Sequence, residues 1–416
     1  MNKLFEKIKA HRIFFILAII GPGIITANVD NDAGGIATYS IAGAKFGNSL
    51  LWTLIPITLI LIIVQEMVAR MAVVTGKGLA DLIREKYGVK AIFYLIIFLL
   101  IADSSNTVAE FAGLAAAMEL LGVSKYITVP IGAFGIWFMV VKGNYRSVEK
   151  IFMFACLIYL TYIFSGFMAK PDWPQVMDSL VTPHISFQPS YLMMLIGIIG
   201  ATVAPWMQFY MQASYVEKGI EYKNYHIVKW DVIIGCIITN VVAFFIIVAC
   251  STTLFKNGIA INSASEAALA LKPLAGKYAS ILFAIGLANA SLFAASILPL
   301  TTAYYICEGM GWNAGVNKSF KEAPQFFGLY TAIIVFGAAF VLIPKLPLLF
   351  IMYLSQVING LVLPFVLIFI IKIINDKEIM GEHVNSTFAN IVSYATIILL
   401  IAITLTMAAS TIVGGA

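Results

Sequence analysis

The hydrophobic positions of the chain form long apolar runs that are separated by short polar connections. A helix needs about 20 apolar residues to cross a hydrocarbon core of about 30 Å. Eleven runs meet this requirement and are numbered here as segments 1 to 11: about residues 13–40, 45–69, 91–120, 124–141, 148–168, 190–216, 228–254, 278–306, 325–343, 346–372 and 388–413. The pattern predicts an all-α integral membrane protein with about eleven transmembrane helices.

Composition agrees with this prediction and excludes several classes of function. Of the 416 residues 11% are charged and 61% are hydrophobic, whereas a soluble protein carries about 25% charged residues. The sequence contains no Walker loop, zinc-protease motif or serine nucleophile elbow, and no basic run interleaved with aromatic residues. We therefore expect one transmembrane domain over residues 1–416 in a lipid bilayer, with no enzymatic activity, no cofactor and no nucleic-acid partner.

The distribution of basic residues predicts the orientation of the chain. If the N-terminus is cytoplasmic, the cytoplasmic connections hold 19 of the 26 lysines and arginines and the outer ones hold 7. Positive residues accumulate on the cytoplasmic side of membrane proteins. We expect a multi-pass protein of the plasma membrane, with a cytoplasmic N-terminus and an extracytoplasmic C-terminus.

Five segments, an odd number, precede segment 6. The two five-helix blocks therefore have opposite orientations in the membrane. The blocks cover about residues 13–168 and 190–372, and an extra helix follows at about 388–413. Inverted repeats of this kind are typical of secondary transporters, whose substrate sites lie where corresponding helices of the two repeats are interrupted.

Segments 1 and 6 both contain the signals of an interrupted helix. In segment 1, Asp30 and Asp32 lie among four glycines between residues 21 and 35, and acidic groups at bilayer depth are costly unless they serve a function. Segment 6 has a glycine-rich approach to Pro205, which cannot donate a helical hydrogen bond. The sequence predicts breaks at Asp30–Gly35 and before Pro205, with a binding site between them.

The chemistry of the first break favours a hard divalent cation. Asp30, Asn31 and Asp32 supply carboxylate and amide oxygens, and this stretch has no thiol, thioether or imidazole. Oxygen ligands suit Mg²⁺ and Ca²⁺, whereas soft ligands select transition metals. The alternative for Asp32 is a helix cap that satisfies backbone donors without a metal.

Other polar residues within the segments allow competing interpretations. Glu66 and Arg70 lie four residues apart, as in a helix-surface ion pair. Asp103 and Glu110 share one helix face and fit either a proton path or hydrogen bonds between helices. Among the intramembrane amides, Gln356 is the best ligand candidate.

Four groups of residues carry a resemblance to a known family. They are Gly21-Pro22-Gly23 with Asp32-Ala33-Gly34-Gly35, the run from Gln65 to Ala80, the run from Gly200 to Trp206, and Ser355-Gln356-Val357 with Leu363-Pro364-Phe365. In order and spacing they resemble the Nramp metal-ion transporters, whose first segment carries Asp-Pro-Gly-Asn and whose sixth carries Met-Pro-His. The resemblance covers essentially the whole chain.

The departures from the family pattern are informative. Asp32 is kept, but Gly35 stands at the asparagine position, Ala204 at the methionine position and Trp206 at that of a histidine linked to proton coupling. This combination resembles the Nramp-related magnesium transporter branch, which implies transport of Mg²⁺ and Mn²⁺ without evident proton coupling. Losing the thioether removes a soft ligand, and two smaller side chains leave room for a Mg²⁺ ion that keeps several waters.

The resemblance also implies a fold, a mechanism and a set of metal-binding residues. The fold would be LeuT/APC-like with helices 1 and 6 broken, and the mechanism would be alternating access around a midplane site in a monomer. Asp32 would supply charge, backbone carbonyls near Val29 and Ala201 would supply oxygens, and Gln356 would join in an occluded state. The full implied set is Asp32, Gly35, Val29, Ala201, Ala204 and Gln356.

Three alternatives stay open at this point. The nearest is a proton-coupled Mn²⁺ or Fe²⁺ transporter whose site tolerates the substitutions. The second is an organic-solute transporter of the same fold, although Asp32 would repel anionic substrates. The third is a membrane-embedded enzyme or a non-transporting sensor.

Overall fold

The computed structural model describes residues 21–142 and 156–414, and within these ranges the chain is helical without any β-strand. A backbone that crosses a hydrocarbon core must satisfy its N–H and C=O groups internally, which an α-helix achieves within one segment. The long apolar runs of the sequence therefore form helices, and the predicted all-α class is confirmed.

Thirteen helices form the membrane part of the described chain. They are α1 (Pro22–Asp30), α2 (Ala33–Phe46), α3 (Leu54–Thr75), α4 (Leu79–Leu120), α5 (Lys125–Val141), α6 (Leu160–Met168), α7 (Pro189–Thr202), α8 (Pro205–Glu217), α9 (Tyr225–Thr253), α10 (Ala279–Met310), α11 (Pro324–Val341), α12 (Leu348–Ile374) and α13 (Thr387–Gly414). Shorter helices lie in the connections at Trp173–Val181, Ala264–Ala268, Lys272–Ala275 and Lys377–Met380.

Each predicted segment corresponds to helix in the described residues. Segment 1 is divided into α1 and α2, and segment 6 into α7 and α8. Eight helical stretches of the described chain are long and apolar enough to cross a membrane, and two shorter apolar helices cover segment 4 and the end of segment 5. Residues 13–20 and 148–155 of the predicted segments lie outside the described residues.

Several predicted boundaries are wrong by more than a turn, and the largest differences are at the starts of segments 2 and 3. Segment 2 was placed from residue 45, but α2 continues to Phe46 and α3 begins only at Leu54. Segment 3 was placed from residue 91, but α4 begins at Leu79 and continues through a bend at Gly88, where φ is 81°. A glycine adopts this φ without a Cβ clash, so the helix extends on both sides of the bend.

Close approaches at glycines bring the helices around the breaks together. A Cβ on Gly200 of α7 would lie 2.0 Å from the carbonyl oxygen of Gln356 on α12. Likewise, a Cβ on Gly235 of α9 would lie 2.7 Å from the carbonyl oxygen of Gly23 on α1. Small residues at helix contacts are typical of membrane proteins, in which tight packing replaces the hydrophobic effect. Both interrupted helices are thus packed backbone to backbone against an unbroken neighbour.

The outer surface of the helices is apolar. On α5, Ile131 and Phe134 are 66% and 65% exposed, and on α13 Ile398 is 67% exposed. Large apolar side chains at this exposure suit contact with lipid rather than with water. The arrangement agrees with the predicted bilayer environment.

Candidate metal-ion site

The first break is a two-residue interruption between α1 and α2. α1 ends at Asp30 and α2 begins at Ala33, so that Asn31 and Asp32 are the non-helical residues. The predicted break at Asp30–Gly35 is therefore too long, because Gly34 and Gly35 lie in the first turn of α2. They stay helical because Asp32 supplies an N-cap that starts the helix directly.

The capping role of Asp32 is explicit in the geometry. Its Oδ1 accepts a hydrogen bond from the backbone N–H of Gly35 at 2.6 Å, and the residue is 4% exposed. A carboxylate at a helix N-terminus also interacts favourably with the helix dipole. The cap considered from the sequence is thus present, and it fixes the position of one carboxylate at the centre of the break.

The second break lies between α7 and α8. α7 ends at Thr202 and α8 begins at Pro205, leaving Val203 and Ala204 outside the helices. A proline is favourable at the first helical position, where its missing N–H would be unpaired anyway. The break falls where the glycine-proline pattern of segment 6 predicted it.

A hydrogen bond joins the regions of the two breaks. The hydroxyl groups of Tyr39 on α2 and Thr202, the last residue of α7, are 2.9 Å apart. Both residues are fully buried. The two interrupted helices therefore meet inside the protein, as a site between them requires.

The structure brings Gln356 to the same place. A Cβ on Gly34 would lie 1.9 Å from its Nε2, so the amide side chain rests against the first turn of α2. The Oε1 of Gln356 accepts a hydrogen bond from Asn359 at 2.9 Å, and Asn359 accepts one from Asn106 on α4 at 2.9 Å. This chain of amides connects the break to α4, a connection that the sequence did not predict.

The remaining predicted residues are buried beside the breaks. Val29, Ala201 and Ala204 are each at most 2% exposed. At Gly35, a Cβ would lie 2.7 Å from the carbonyl oxygen of Asp30. A side chain at position 35 would therefore force the backbone of the break to shift, and the idea that glycine here also gives an ion room stays a prediction.

Glu110 lies at the first break, in contact with the start of α2. Its Oε2 accepts a hydrogen bond from the backbone N–H of Ala33 at 3.3 Å, and it is close enough to Asp32 to interact electrostatically. The seven-residue spacing from Asp103 had indicated a shared face, but not this contact with α2. Asp103, in contrast, lies beside Tyr305 of α10.

Three other charged residues have structural roles. Asp231 of α9 accepts hydrogen bonds from the backbone N–H groups of Gly21 at 3.2 Å and Gly23 at 2.8 Å, which caps the start of α1. No local pattern in the sequence indicates this cap, because the partners are more than 200 residues apart. Glu66 and Arg70 form the predicted ion pair at 3.1 Å.

The buried side-chain atoms without partners at the first break are oxygens. Among the described residues, both carboxylate oxygens of Asp30, Oδ1 of Asn31 and Oε1 of Glu110 are buried without a hydrogen-bond partner. No cluster of three or more His, Cys, Asp or Glu side chains converges on one point in that part of the chain. A cation here would be bound by few side chains together with backbone oxygens and water, which is the pattern of hard divalent ions.

A bundle of membrane helices in which two interrupted helices meet at buried carboxylates is the architecture of a membrane transporter. The model of the Nramp family, described as natural resistance-associated macrophage protein-like, matches residues 23–410. The chain belongs to the Nramp family. This confirms the resemblance found in the sequence and the prediction of a transporter rather than an enzyme.

Similar proteins support the same assignment. The divalent metal cation transporter MntH of Bacillus subtilis (strain 168) is 27% identical over 401 residues, which are 93% of this chain and 91% of that protein. A crystal structure of the Eremococcus coleocola manganese transporter, in complex with an aromatic bis-isothiourea substituted compound, is similar with a TM-score of 0.73 and 21% identity, over 95% of this chain and 86% of that one. MhsT in complex with L-phenylalanine has a TM-score of 0.62 and 14% identity, over 92% of this chain and 98% of that one. The predicted LeuT-like fold is confirmed.

Proposed function

We propose that this chain is a secondary transporter that carries divalent metal ions, Mg²⁺ as well as Mn²⁺, without coupled protons. The class of cargo is supported by relatives that are named a divalent metal cation transporter and a manganese transporter. The site residues would be Asp32, the backbone carbonyls of Val29 and Ala201, and Gln356, with Gly35 and Ala204 contributing by their small size.

The observation that carries the Mg²⁺ assignment is the donor set at the breaks. The free buried acceptors near Asp32 are oxygens, and Ala204 occupies the position at which the family has a methionine. Mg²⁺ keeps several waters and binds through one or two carboxylates. A site without a thioether has lost the ligand that favours transition metals over Mg²⁺.

The proposal that protons are not coupled rests on Trp206, the second residue of α8. Trp206 replaces the histidine that the family has there, and it is 1% exposed and lies close to Tyr210. An indole does not exchange a proton near neutral pH, whereas an imidazole does. Inward transport would then be driven by concentration and by the membrane potential, which is worth about 4.6 kcal/mol for two charges at 100 mV.

Alternating access would move the two interrupted helices against the unbroken ones. The proposed site residues are nearly inaccessible, with Asp32 at 4% and Gln356 at 1% exposure, which suits a conformation closed on both sides. We further propose a monomer of two inverted repeats, over about residues 13–168 and 190–372, with the N-terminus in the cytoplasm, the extra helix at 388–413 and the C-terminus outside.

The test uses the purified full-length protein in liposomes that contain a pH dye. Influx of Mg²⁺, Mn²⁺ and Ca²⁺ is measured beside the internal pH. We expect saturable influx of Mg²⁺ and Mn²⁺ with no acidification of the lumen. Influx of Mn²⁺ with acidification, when Mg²⁺ neither enters nor competes, would overturn the proposal.

One observation favours a second candidate, a proton-coupled manganese transporter. Glu110 keeps a carboxylate at the N-terminus of α2, next to Asp32, where it could exchange a proton as the cation binds and leaves. The same liposome measurement separates the two, because only this candidate acidifies the lumen.

A further inference from the structure

Asp30, the last residue of α1, has a buried carboxyl group that the fold does not use. It is 2% exposed, and neither of its oxygens has a hydrogen-bond partner among the described residues. The carboxyl group thus lacks a partner whether it is ionised or carries a proton. Burying a carboxylate without a partner is strongly unfavourable, so this residue is not explained by stability.

The first break is held together by other groups. Asp32 caps α2, and the hydroxyl of Tyr159 donates to the backbone carbonyl of Asn31 at 2.8 Å. The carbonyl of Ala27 in α1 accepts a hydrogen bond from Thr239 of α9. The side chain of Asp30 takes part in none of these contacts, so the break does not depend on it.

The surroundings of Asp30 are polar and contain further buried atoms without partners. Tyr39 and Cys236 lie close enough to Asp30 for electrostatic interaction. The thiol of Cys236 donates to Oε1 of Gln65 at 3.3 Å, while Nε2 of Gln65 is buried without a partner in the described chain. Such groups are typically satisfied by buried water, which would place water between α1, α3 and α9.

The charge around Asp30 has one sign. The carboxylate of Asp32 interacts electrostatically with Asp30, and Asp30 forms no ion pair within residues 21–142 and 156–414. Two carboxylates that are separated by one residue, in a helix break at bilayer depth, attract a cation from whichever side the site opens.

We propose that the carboxylate of Asp30 is a second binding residue for the transported divalent cation, which it holds through bridging water on the side of the break that faces α9. The inference rests on the proposed function and adds to it a second carboxylate, which no part of the sequence comparison assigns. Two carboxylates with retained water are a donor set that Mg²⁺ prefers. In this arrangement Asp32 holds the ion at the start of α2, and Asp30 holds its hydration shell.

The test compares Asp30→Asn with the wild-type protein. Binding of Mg²⁺ and of Mn²⁺ is measured by calorimetry on the purified full-length protein, and influx is measured in liposomes. Asparagine keeps the shape of the side chain and removes the charge. Since residues that act on a metal through other groups typically change affinity about 10- to 100-fold, we expect Asp30→Asn to weaken Mg²⁺ binding at least about tenfold, with an equal rise in the KM of influx.

The matched control is Asp103→Asn. Asp103 is also a fully buried carboxylate, but it lies beside Tyr305 rather than at the break, and it is two turns from Glu110, about 10 Å along α4. We expect this variant to change Mg²⁺ affinity less than about twofold. An equal loss in both variants would show that the total charge matters rather than the position of Asp30, and would overturn the proposal.

A second variant covers the case in which Asp30→Asn does not fold. Asp30→Glu keeps the carboxylate, and we expect it to retain Mg²⁺ binding within a few-fold of wild type. Wild-type affinity in Asp30→Asn, or no Mg²⁺ binding in a folded Asp30→Glu, would overturn the inference. A loss of Na⁺ or K⁺ dependence in Asp30→Asn, with divalent binding intact, would assign Asp30 to a monovalent ion and would also overturn it.

The proposed function is tested separately through Asp32→Asn. If this variant loses transport while Asp30→Asn behaves as wild type, the proposed function stands and the inference about Asp30 fails. If Asp32→Asn transports normally, the proposed site itself is wrong.

Discussion

The carboxylate of Asp231 on α9 accepts a hydrogen bond from the backbone N–H of Gly23 at 2.8 Å and so holds the first turn of α1. A side chain from the second half of the chain thus caps the half-helix that leads to the first break. The close approach is possible because Gly23 has no side chain: a Cβ there would lie 2.8 Å from the backbone of Asp231.

Replacing Asp231 should destabilise the protein. Asp231→Ala leaves the N–H groups of Gly21 and Gly23 and the hydroxyl of Tyr215 without their acceptor. An unsatisfied buried donor costs about 1–3 kcal/mol, so we expect a clear fall in the melting temperature of the purified protein. Asp231→Asn keeps an acceptor oxygen and should lose less. Equal melting temperatures for all three proteins would show that this cap does not contribute to stability.

Replacing Asp32 with asparagine should separate its role as a helix cap from its role as a charge at the break. Asp32→Asn keeps an oxygen that can accept from the N–H of Gly35, so the start of α2 should survive. The charge at the break is lost, and we expect Mg²⁺ and Mn²⁺ influx into liposomes to fall to background. The melting temperature should stay close to that of the wild type. Near-normal influx would place the ion elsewhere.

Ala204→Met should change ion preference. The added thioether would favour Mn²⁺ over Mg²⁺, and we expect the ratio of Mn²⁺ to Mg²⁺ influx to rise. The larger side chain at a position that is 1% exposed should also cost about 1–3 kcal/mol in stability. An unchanged ratio in a folded variant would show that selectivity is not determined at this position.

Gly35→Asn is expected to act differently from Ala204→Met. Its Cβ would lie 2.7 Å from the carbonyl oxygen of Asp30, so the backbone of the break must shift. We therefore expect a lower melting temperature and impaired influx of both ions rather than a change in their ratio. A stable variant with only altered selectivity would show that the break is more adaptable than this close approach indicates.

An ion pair outside the membrane gives a pH-dependent contribution. The ammonium of Lys86 lies 2.6 Å from Oδ2 of Asp376, and this hydrogen bond holds the pKa of the Asp376 carboxyl below its usual value. The stabilisation is present above the ordinary aspartate pKa of about 3.9 and is lost as the pH falls through the lowered value. Lys86 lies at the exposed surface, where solvent screens the pair, so the effect should be small.

Lys86→Ala should therefore lower the melting temperature slightly at pH 7 and have less effect at acidic pH. Lys90→Ala, which removes another exposed lysine of α4, serves as the control. A larger difference between wild type and Lys86→Ala at acidic pH than at pH 7 would contradict the assigned role of the pair.

Local patterns in the sequence predicted the segments and both breaks, because hydrophobicity, glycine and proline act within a few residues. The side chain of Gln356, the best ligand candidate from the sequence, lies against Gly34 at the start of α2, and its role as a ligand stays a prediction. The cap from Asp231 and the amide chain through Asn106 could not be predicted, since each joins residues far apart in the chain. The sequence predicts too long a first break, because glycines are poor helix formers, whereas the cap from Asp32 starts α2 immediately.

The most direct measurement is Mg²⁺ influx into liposomes that contain the full-length protein, an inside-negative potential and a pH dye. We expect saturable, potential-dependent Mg²⁺ influx without acidification, and no influx with Asp32→Asn. The opposite result would contradict this expectation: no Mg²⁺ influx through the wild-type protein, together with Mn²⁺ influx that acidifies the lumen.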